Sequence, residues 1–463
     1  MTDIDDKIIQ RCIDQGQSSH QGINSLTKKY ETEFFNDMKK LNVMSPNVVL
    51  RVTEHIPAII RYIEQIINNK FAYITDDGVY FDVSKCKKYG KLGPIPTVND
   101  DFSSGEHTHF KKNPRDFVLW KRISNQNEPA WASPWGNGRP GWHIECSAMT
   151  HSYFGPHMNI HSGGIDLKFP HHTNEIAQSE AHNNSDSWVD TWLHTGHLYI
   201  EGRKMSKSLK NFISISEYYN AKISSNPSAD FRLFCLQSRY SHNVYYTVDR
   251  IHDAAKYRSK IENYLQLTEQ LVSHIEANMR DLVVPSHYQG TLMDGAAESV
   301  AHSYLPGKKL TKSLNEVKVK VDAALRSDFD TPTVLDLLSN LVGDAQQYRL
   351  YLTSNSLVGP LEPLHAVTNY ILYIFDIFGI DLKVGQQESR EQAKQDEIVT
   401  DLIRFRSSIR QIALGSIKNN ETTEICKNIM KKCDEVRDQL KQNHVVVEDT
   451  KDSSGLWRYN SSK

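Results

Sequence analysis

The stretch from Gly141 to Glu175 constrains this chain more than any other. It contains Gly141-Trp142-His143-Ile144-Glu145-Cys146, then His161-Ser162-Gly163-Gly164-Ile165-Asp166, then Pro170-His171-His172-Thr173-Asn174-Glu175. One thiol, several imidazoles and several carboxylates therefore fall close together, punctuated by Gly and Pro. His171 and Glu175 are four apart, so on a helix they leave one face about one turn apart. Thr173 to Ala181 reads as that helix, with Pro170 just ahead of its start. A thiolate, an imidazole and a carboxylate at Cys146, His171 and Glu175 suit zinc, with a fourth position to fill. The same spacing also fits a buried free Cys beside a surface His–Glu pair. Trp142, four residues before Cys146, either walls a small pocket or belongs to a core.

The 463 residues leave room for two to four domains. A net charge of −2 argues against a wholly basic nucleic-acid coat but permits a local basic face. Cysteines at 12, 86, 146, 235, 426 and 433 form no CxxC and no dense framework, which points to a reducing compartment. No apolar run reaches the length of a membrane span, so no membrane is expected. The acidic opening, Met1-Thr2-Asp3-Ile4-Asp5-Asp6-Lys7, is unlike an import sequence.

Residues 6 to 45 and Val48 to Ile67 alternate apolar and charged positions at helical spacing. Phe71–Ile74 and Val79–Val83 flank Asp76-Asp77-Gly78, a hairpin signal. Lys88 to Gly105 reads as a long exposed loop, and Phe117–Lys121 as a strand. Trp135–Gly141 is too rich in Gly and Pro for either regular element. Trp192–Ile200 reads as one apolar strand-like segment. From Ile251 to about Phe378 nearly everything is amphipathic helix, which implies a bundle. Gln386–Gln395 is linker-like, and a last unit carries two more helices, with Arg404, Arg406 and Arg410 on the first.

Lys204-Met205-Ser206-Lys207-Ser208 offers two ammonium groups and two hydroxyls after an apolar strand. Such a loop suits a polyphosphate whose charge shifts in a transition state, and equally a solvated turn. Gly163-Gly164 either lets a backbone approach a nucleotide closely or forms a turn.

In order and spacing, Thr2–Lys7, Gly138–Ser147, His161–Leu167, Phe169–Glu175 and Lys204–Ser208 resemble cysteinyl-tRNA synthetases, and Ser327-Asp328-Phe329-Asp330-Thr331-Pro332 extends the resemblance into the helical part. The resemblance implies an α/β Rossmann-type catalytic domain followed by an all-α bundle and a small C-terminal anticodon-binding region. The corresponding segments are 1–215 (catalytic, with a connective insertion), 216–250 (stem contact), 251–385 (bundle) and 386–463 (anticodon binding). It further implies one zinc held by Cys146, His171 and Glu175, selecting a soft thiolate over a hydroxyl that differs by one atom. Thr2 and Trp142 would contact the rest of the substrate L-cysteine, with His161 and Asp166 in the same pocket, although His161 also fits a structural role. Lys207, assisted by Lys204, would stabilise the phosphates of Mg2+-bound ATP, with Gly163, Gly164 and Ser206 nearby. The implied reaction forms cysteinyl-adenylate and then charges tRNA(Cys). Arg404, Arg406 and Arg410 would pair with the tRNA backbone and Trp457 would stack a base, although a solvated helix face explains the arginines too.

The family's opening segment carries a further zinc Cys and a His-x-Gly-His motif ahead of the match at Thr2, and neither stands in this sequence. The expectation is a chain whose front part is absent, including the first strand of the sheet, with little aminoacylation activity alone. The alternative is a non-catalytic synthetase-like protein that binds tRNA or a partner. The C-terminal third resembles the mitochondrial branch, so the mitochondrial matrix is expected, with the cytoplasm as the alternative, and a monomer is expected.

Overall fold

The computed structural model describes residues 3–4, 6–14, 20–95, 110–123, 129–200, 202–206, 211–281, 294–354, 359–382, 390–418, 423–443, 445–449 and 456–459. They form two compact units. The first takes residues 1–212 with 240–245, and the second takes 213–239 with 246–463.

The first unit opens with helices α1 (Asp6–Asp14), α2 (His20–Lys40) and α3 (Ile56–Asn68). The third starts later than its apolar periodicity suggests, because Pro57 sits in its first turn and Val52–Glu54 forms a separate short turn. Its inward stripe of Ile56, Ile59, Tyr62, Ile63 and Ile66 is fully buried. A four-stranded antiparallel sheet follows in the order β1 (Ala72–Thr75), β2 (Gly78–Phe81), β3 (Phe117–Arg122), β4 (Gly138–Pro140). The hairpin around Asp76-Asp77-Gly78 forms as expected. The strand at Gly138–Pro140 corrects the expectation of an irregular stretch. Gly138 pairs with Arg122 across the ladder, and a side-chain carbon there would lie 2.3 Å from the Lys121 carbonyl oxygen, so the missing side chain is what admits the pairing.

Helix α4 (Trp142–Phe154), strand β5 (Met158–Gly164), helix α5 (Thr173–Asn183) and strand β6 (Val189–Thr195) come next. β5 and β6 are parallel, in register from Met158 opposite Val189 to Gly164 opposite Thr195, with α5 as their crossover. This is a βαβ unit, the building block of the expected Rossmann-type domain. The expected single segment Trp192–Ile200 is two strands, β6 and β7 (Leu198–Ile200). The break falls at Gly196, whose N–H donates to the Tyr240 carbonyl at 2.8 Å and turns the chain into another sheet. That sheet has the order β8 (Arg203–Lys204), β7, β9 (Val244–Tyr246). Ile59, Ile63, Phe81, Leu119, Trp120 and Ile144 share one core, which joins α3, the antiparallel sheet and α4.

The second unit is almost wholly helical: α6 (Ile215–Asn220), α7 (Pro227–Leu236), then the long α8 (Val248–Asp281), α9 (Asp294–Arg326), α10 (Thr331–Ser354) and α11 (Glu362–Ile377). The Arg258–Asp230 ion pair ties α8 to α7 at 2.7 Å, both side chains being buried. Helices α12 (Arg390–Lys418) and α13 (Thr423–Gln442) then precede an antiparallel hairpin, β10 (Val445–Glu448) with β11 (Leu456–Tyr459). Arg390–Gln395 is helical rather than linker, a correction at the C-terminal end of that expectation.

Candidate active site

Four elements converge on Glu175. α4 brings His143 and Cys146, β5 brings His161, and the turn between β5 and α5 brings His171 and His172. Glu175 itself stands in the first turn of α5, where the helix dipole favours a carboxylate. α4 begins at Gly141, whose N–H donates to the Leu119 carbonyl at 2.9 Å. A side-chain carbon on Gly141 would lie 2.2 Å from the Val118 carbonyl oxygen, so only glycine lets the helix start this close to β3.

The ligand atoms of Cys146, His171 and Glu175 all lie within 4.8 Å of one another, and so do those of His161, His172 and Glu175. His171 Nε2 stands 2.8 Å from Glu175 Oε1, and His161 Nε2 stands 3.6 Å from Oε2. Glu175 is completely buried, yet neither carboxylate oxygen accepts a hydrogen bond of acceptable geometry. A buried carboxylate in that state carries a desolvation cost that a cation between these donors would offset.

Around this centre the rings are held by one another. His143 Nδ1 lies 2.8 Å from His171 Nδ1, and His172 Nδ1 lies 2.8 Å from His194 Nε2 on β6. With His171 presenting a lone pair on Nε2, its Nδ1–H donates to His143 Nδ1, which fixes both tautomers. Burial, with His171 second, holds the pKa of His143 down at about 3. Burial and the neighbouring His161, His171 and His194 do the same for His172, at about 3. Both rings are neutral at ordinary pH. Burial, followed by the Glu175 and Glu145 carboxylates, pushes the Cys146 thiol well up. A bound metal cation reverses that preference by stabilising the thiolate.

Trp142 is 51% exposed, so the core reading does not hold; its ring leans on His171 at 4.5 Å between centroids. His161 packs against Trp192 at 4.7 Å and Trp188 at 5.6 Å. Gly163 and Gly164 lie inside β5 opposite His194 and Thr195, which corrects the turn reading. A side-chain carbon on Gly163 would meet His172 Cε1 at 2.7 Å, so this glycine makes room for an imidazole. Asp166 stands half-exposed, 3.5 Å from Lys204 Nζ on β8. The Ser206 N–H donates to Asn211 Oδ1 at 3.0 Å, and Asn211 Nδ2 donates to the Lys204 carbonyl at 3.2 Å, bracing the chain on either side of Met205. Thr2 and Lys207 lie outside the described residues.

The C-terminal candidates separate. Arg406 is buried, ion-paired with Asp449, and donates from Nε to the Cys433 carbonyl at 2.7 Å. Trp457 is buried, and its Nε1–H donates to Thr400 Oγ1 at 3.0 Å. Neither side chain is presented to a partner, which corrects their reading as RNA contacts: both hold the β10–β11 hairpin on α12. Arg410 is part-buried, 3.7 Å from Asp449, and Arg404 is exposed, paired with Asp401.

Sequence reasoning gave no role to His143, His172 or His194. His143 had a local signal, standing three residues before Cys146 on one helix. His194 had none, because only the parallel pairing of β6 with β5 brings it to the site.

A family model described as "tRNA synthetases class I (C) catalytic domain" matches residues 1–256. A Xenopus tropicalis protein named "Probable cysteine--tRNA ligase, mitochondrial" is 41% identical over 429 residues, covering 90% of this chain and 68% of that protein. The Dictyostelium discoideum "Cysteine--tRNA ligase, cytoplasmic" is 36% identical over 482 aligned positions, covering 99% of this chain and 67% of that protein. In fold, the chain is similar to Mycobacterium tuberculosis methionyl-tRNA synthetase bound by methionyl-adenylate, with a TM-score of 0.53 at 15% identity, covering 79% of this chain and 78% of that one.

Proposed function

This chain belongs to the cysteine–tRNA ligase family of class I aminoacyl-tRNA synthetases, and from that premise we propose that it activates L-cysteine with Mg2+-bound ATP and passes it to tRNA(Cys). A cysteine carboxylate oxygen attacks the α-phosphorus of ATP, forming cysteinyl-adenylate and releasing pyrophosphate. A terminal ribose hydroxyl of the tRNA then attacks the carbonyl carbon and AMP leaves. Positioning and charge neutralisation carry such a reaction, with little covalent work by side chains.

The single observation that carries the reading is Glu175, buried, with both oxygens short of hydrogen-bond donors and Cys146 and His171 within ligand reach. We assign Cys146, His171 and Glu175 to a zinc ion, whose donor set they match. Zinc held there supplies a Lewis acid that takes a thiolate far more readily than a hydroxyl, the one difference between cysteine and serine. Trp142, exposed over His171, walls the pocket in which the substrate lies, with Thr2, His161 and Asp166 contributing to it. Lys204 and Lys207 neutralise the triphosphate, with Ser206 and the Gly163–Gly164 strand end assigned to the same nucleotide. Of the C-terminal candidates named from the sequence, Arg404 and Arg410 are left to meet tRNA. We place the chain in the mitochondrial matrix on the strength of its 41% identity to a relative so named, with the cytoplasm as the second choice.

The test reads metal rather than turnover. The purified chain should bind one zinc, and Cys146→Ala should lose it. In cobalt-substituted protein, L-cysteine should strengthen the thiolate-to-metal charge-transfer band while L-serine leaves it unchanged. A chain that takes up no metal, or a band indifferent to L-cysteine, would refute the assignment.

A further inference from the structure

Glu175 has two carboxylate oxygens, and the zinc assignment calls on only one of them. Oε1 lies 2.8 Å from Nε2 of His171, whose donor set includes Cys146, whereas Oε2 faces His161 Nε2 at 3.6 Å. His161 and His172 complete a second donor set around Glu175, and its ligand atoms also lie within 4.8 Å of one another. A separation of 3.6 Å is too long for a hydrogen bond. It is close to the edge, about 3.3 Å, of a tetrahedron of ligands standing ~2.0–2.1 Å from one ion.

The two rings are supported as ligands are. His172 Nδ1 is engaged 2.8 Å from His194 Nε2, which orients the ring and leaves its own Nε2 as the ligand atom. Gly163 keeps the space beside that atom, because a side-chain carbon there would stand 3.0 Å from it. Trp192 packs on both rings, 4.7 Å from His161 and 5.1 Å from His172 between centroids, and so fixes their separation. Glu175 is wholly buried and both its oxygens are short of hydrogen bonds, so one cation on Oε1 leaves Oε2 still uncompensated. Two ions about 3.5–4 Å apart are an ordinary arrangement in metalloenzymes, and a carboxylate with one ion on each oxygen suits that spacing. We propose that His161, His172 and Glu175 bind a second divalent transition-metal cation, bridged to the zinc by the Glu175 carboxylate. Its donors are nitrogen and oxygen alone, so it accepts zinc, cobalt or nickel without a thiolate. With a single shared charge it is the weaker site and fills second. The inference rests on the zinc assignment for the role of Glu175, but it uses neither Cys146 nor His171.

The probe is Co2+ added to the full chain already carrying one zinc, since zinc outcompetes cobalt for the first site. One equivalent of cobalt should bind and give visible d–d bands with no thiolate-to-metal charge-transfer band. His161→Ala and, separately, His172→Ala should lose those bands while keeping the zinc and the helical circular dichroism signal. His157→Ala, which removes the exposed His157–Asp190 pair, should leave the bands intact. A zinc-loaded chain that takes up no cobalt overturns the proposal, as do bands that survive both substitutions. If no second ion binds and either substitution instead weakens the first zinc by about 10–100-fold, His161 and His172 merely orient Glu175 and the proposal falls. Failure of the zinc assignment reads differently: the first cobalt on the metal-free chain then shows no thiolate band. Cobalt on that metal-free chain, with the same two substitutions, still decides the second site.

Discussion

Glu175→Gln should change the sign of its effect on stability when metal is supplied. The substitution keeps the shape of the side chain and removes its charge. In the metal-free chain the carboxylate is fully buried and its oxygens meet only the His171 and His161 rings, at 2.8 and 3.6 Å and without hydrogen-bond geometry, so removing the charge should relieve about 1–3 kcal/mol of desolvation. With zinc at a thousand times its dissociation constant, the unmodified chain gains about 4.1 kcal/mol from binding, and the variant, lacking a carboxylate ligand, loses that gain. For a domain of this size 1 kcal/mol moves the midpoint by about 2–4 °C. The variant should therefore melt about 2–12 °C above the unmodified chain in chelator, and below it in zinc. Thermal unfolding followed by tryptophan emission suits the question, because Trp188 and Trp192 pack on His161 beside the site. If Glu175→Gln melts lower without metal, and both proteins respond equally to zinc, the reading of an uncompensated carboxylate is wrong.

His143→Ala should retain one zinc per chain but bind it about 10–100-fold more weakly, measured by competition with a chromophoric chelator, because His171 loses the acceptor that fixes its tautomer. Gly163→Ala drives a methyl carbon to 2.7 Å from His172 and should cost about 1–3 kcal/mol in urea unfolding. Asp449→Asn strips the buried Arg406 of its nearer counter-charge, leaving Asp434 at 4.0 Å, and should cost about 2–3 kcal/mol, read from the helical circular dichroism signal during denaturation. The pH dependence of the same pair has a definite sign. Burial pushes the Asp449 carboxyl up, but its hydrogen bond from Arg406 and the charges of Arg406, Arg410 and Arg437 hold it lower in the folded chain. Its contribution is thus present above the ordinary carboxylate value of about 4 and fades as pH falls through the depressed one. The unfolding free energy of Asp449→Asn should lack that acid-side loss.

What could be read from the sequence was what neighbours along the chain decide. The Asp76-Asp77-Gly78 hairpin, the start of α5 after Pro170 and the helices of the second unit each rest on local spacing, and each formed. The pairing of His171 with Glu175 was visible for the same reason, although His171 sits in the turn before the helix rather than on it. The failures came where a distant strand or charge decides. Gly138–Pro140 is a strand because β3 lies beside it, and Arg406 is buried because Asp449 meets it from a hairpin 43 residues away. His172 and His194 entered the site through β-strand pairing, which leaves no mark on either residue's own neighbourhood.

The junction at Gly141 ties two parts of the molecule that have no chemistry in common. Among the described residues the antiparallel sheet contributes no ligand atom to the Glu175 centre, only the Phe117 ring edge-on to His143 at 5.8 Å, yet β3 is the surface against which the first turn of α4 is seated. No side-chain atom lies between the Val118 carbonyl and that turn to absorb error. The sheet thus acts as a reference plane, and the position of the Cys146 sulfur is defined by it to within the tolerance of a backbone contact. Small displacements of β3, too slight to register as loss of fold, would therefore be read out at the far end of the same helix turn as a change in how the thiol, the imidazole and the carboxylate meet.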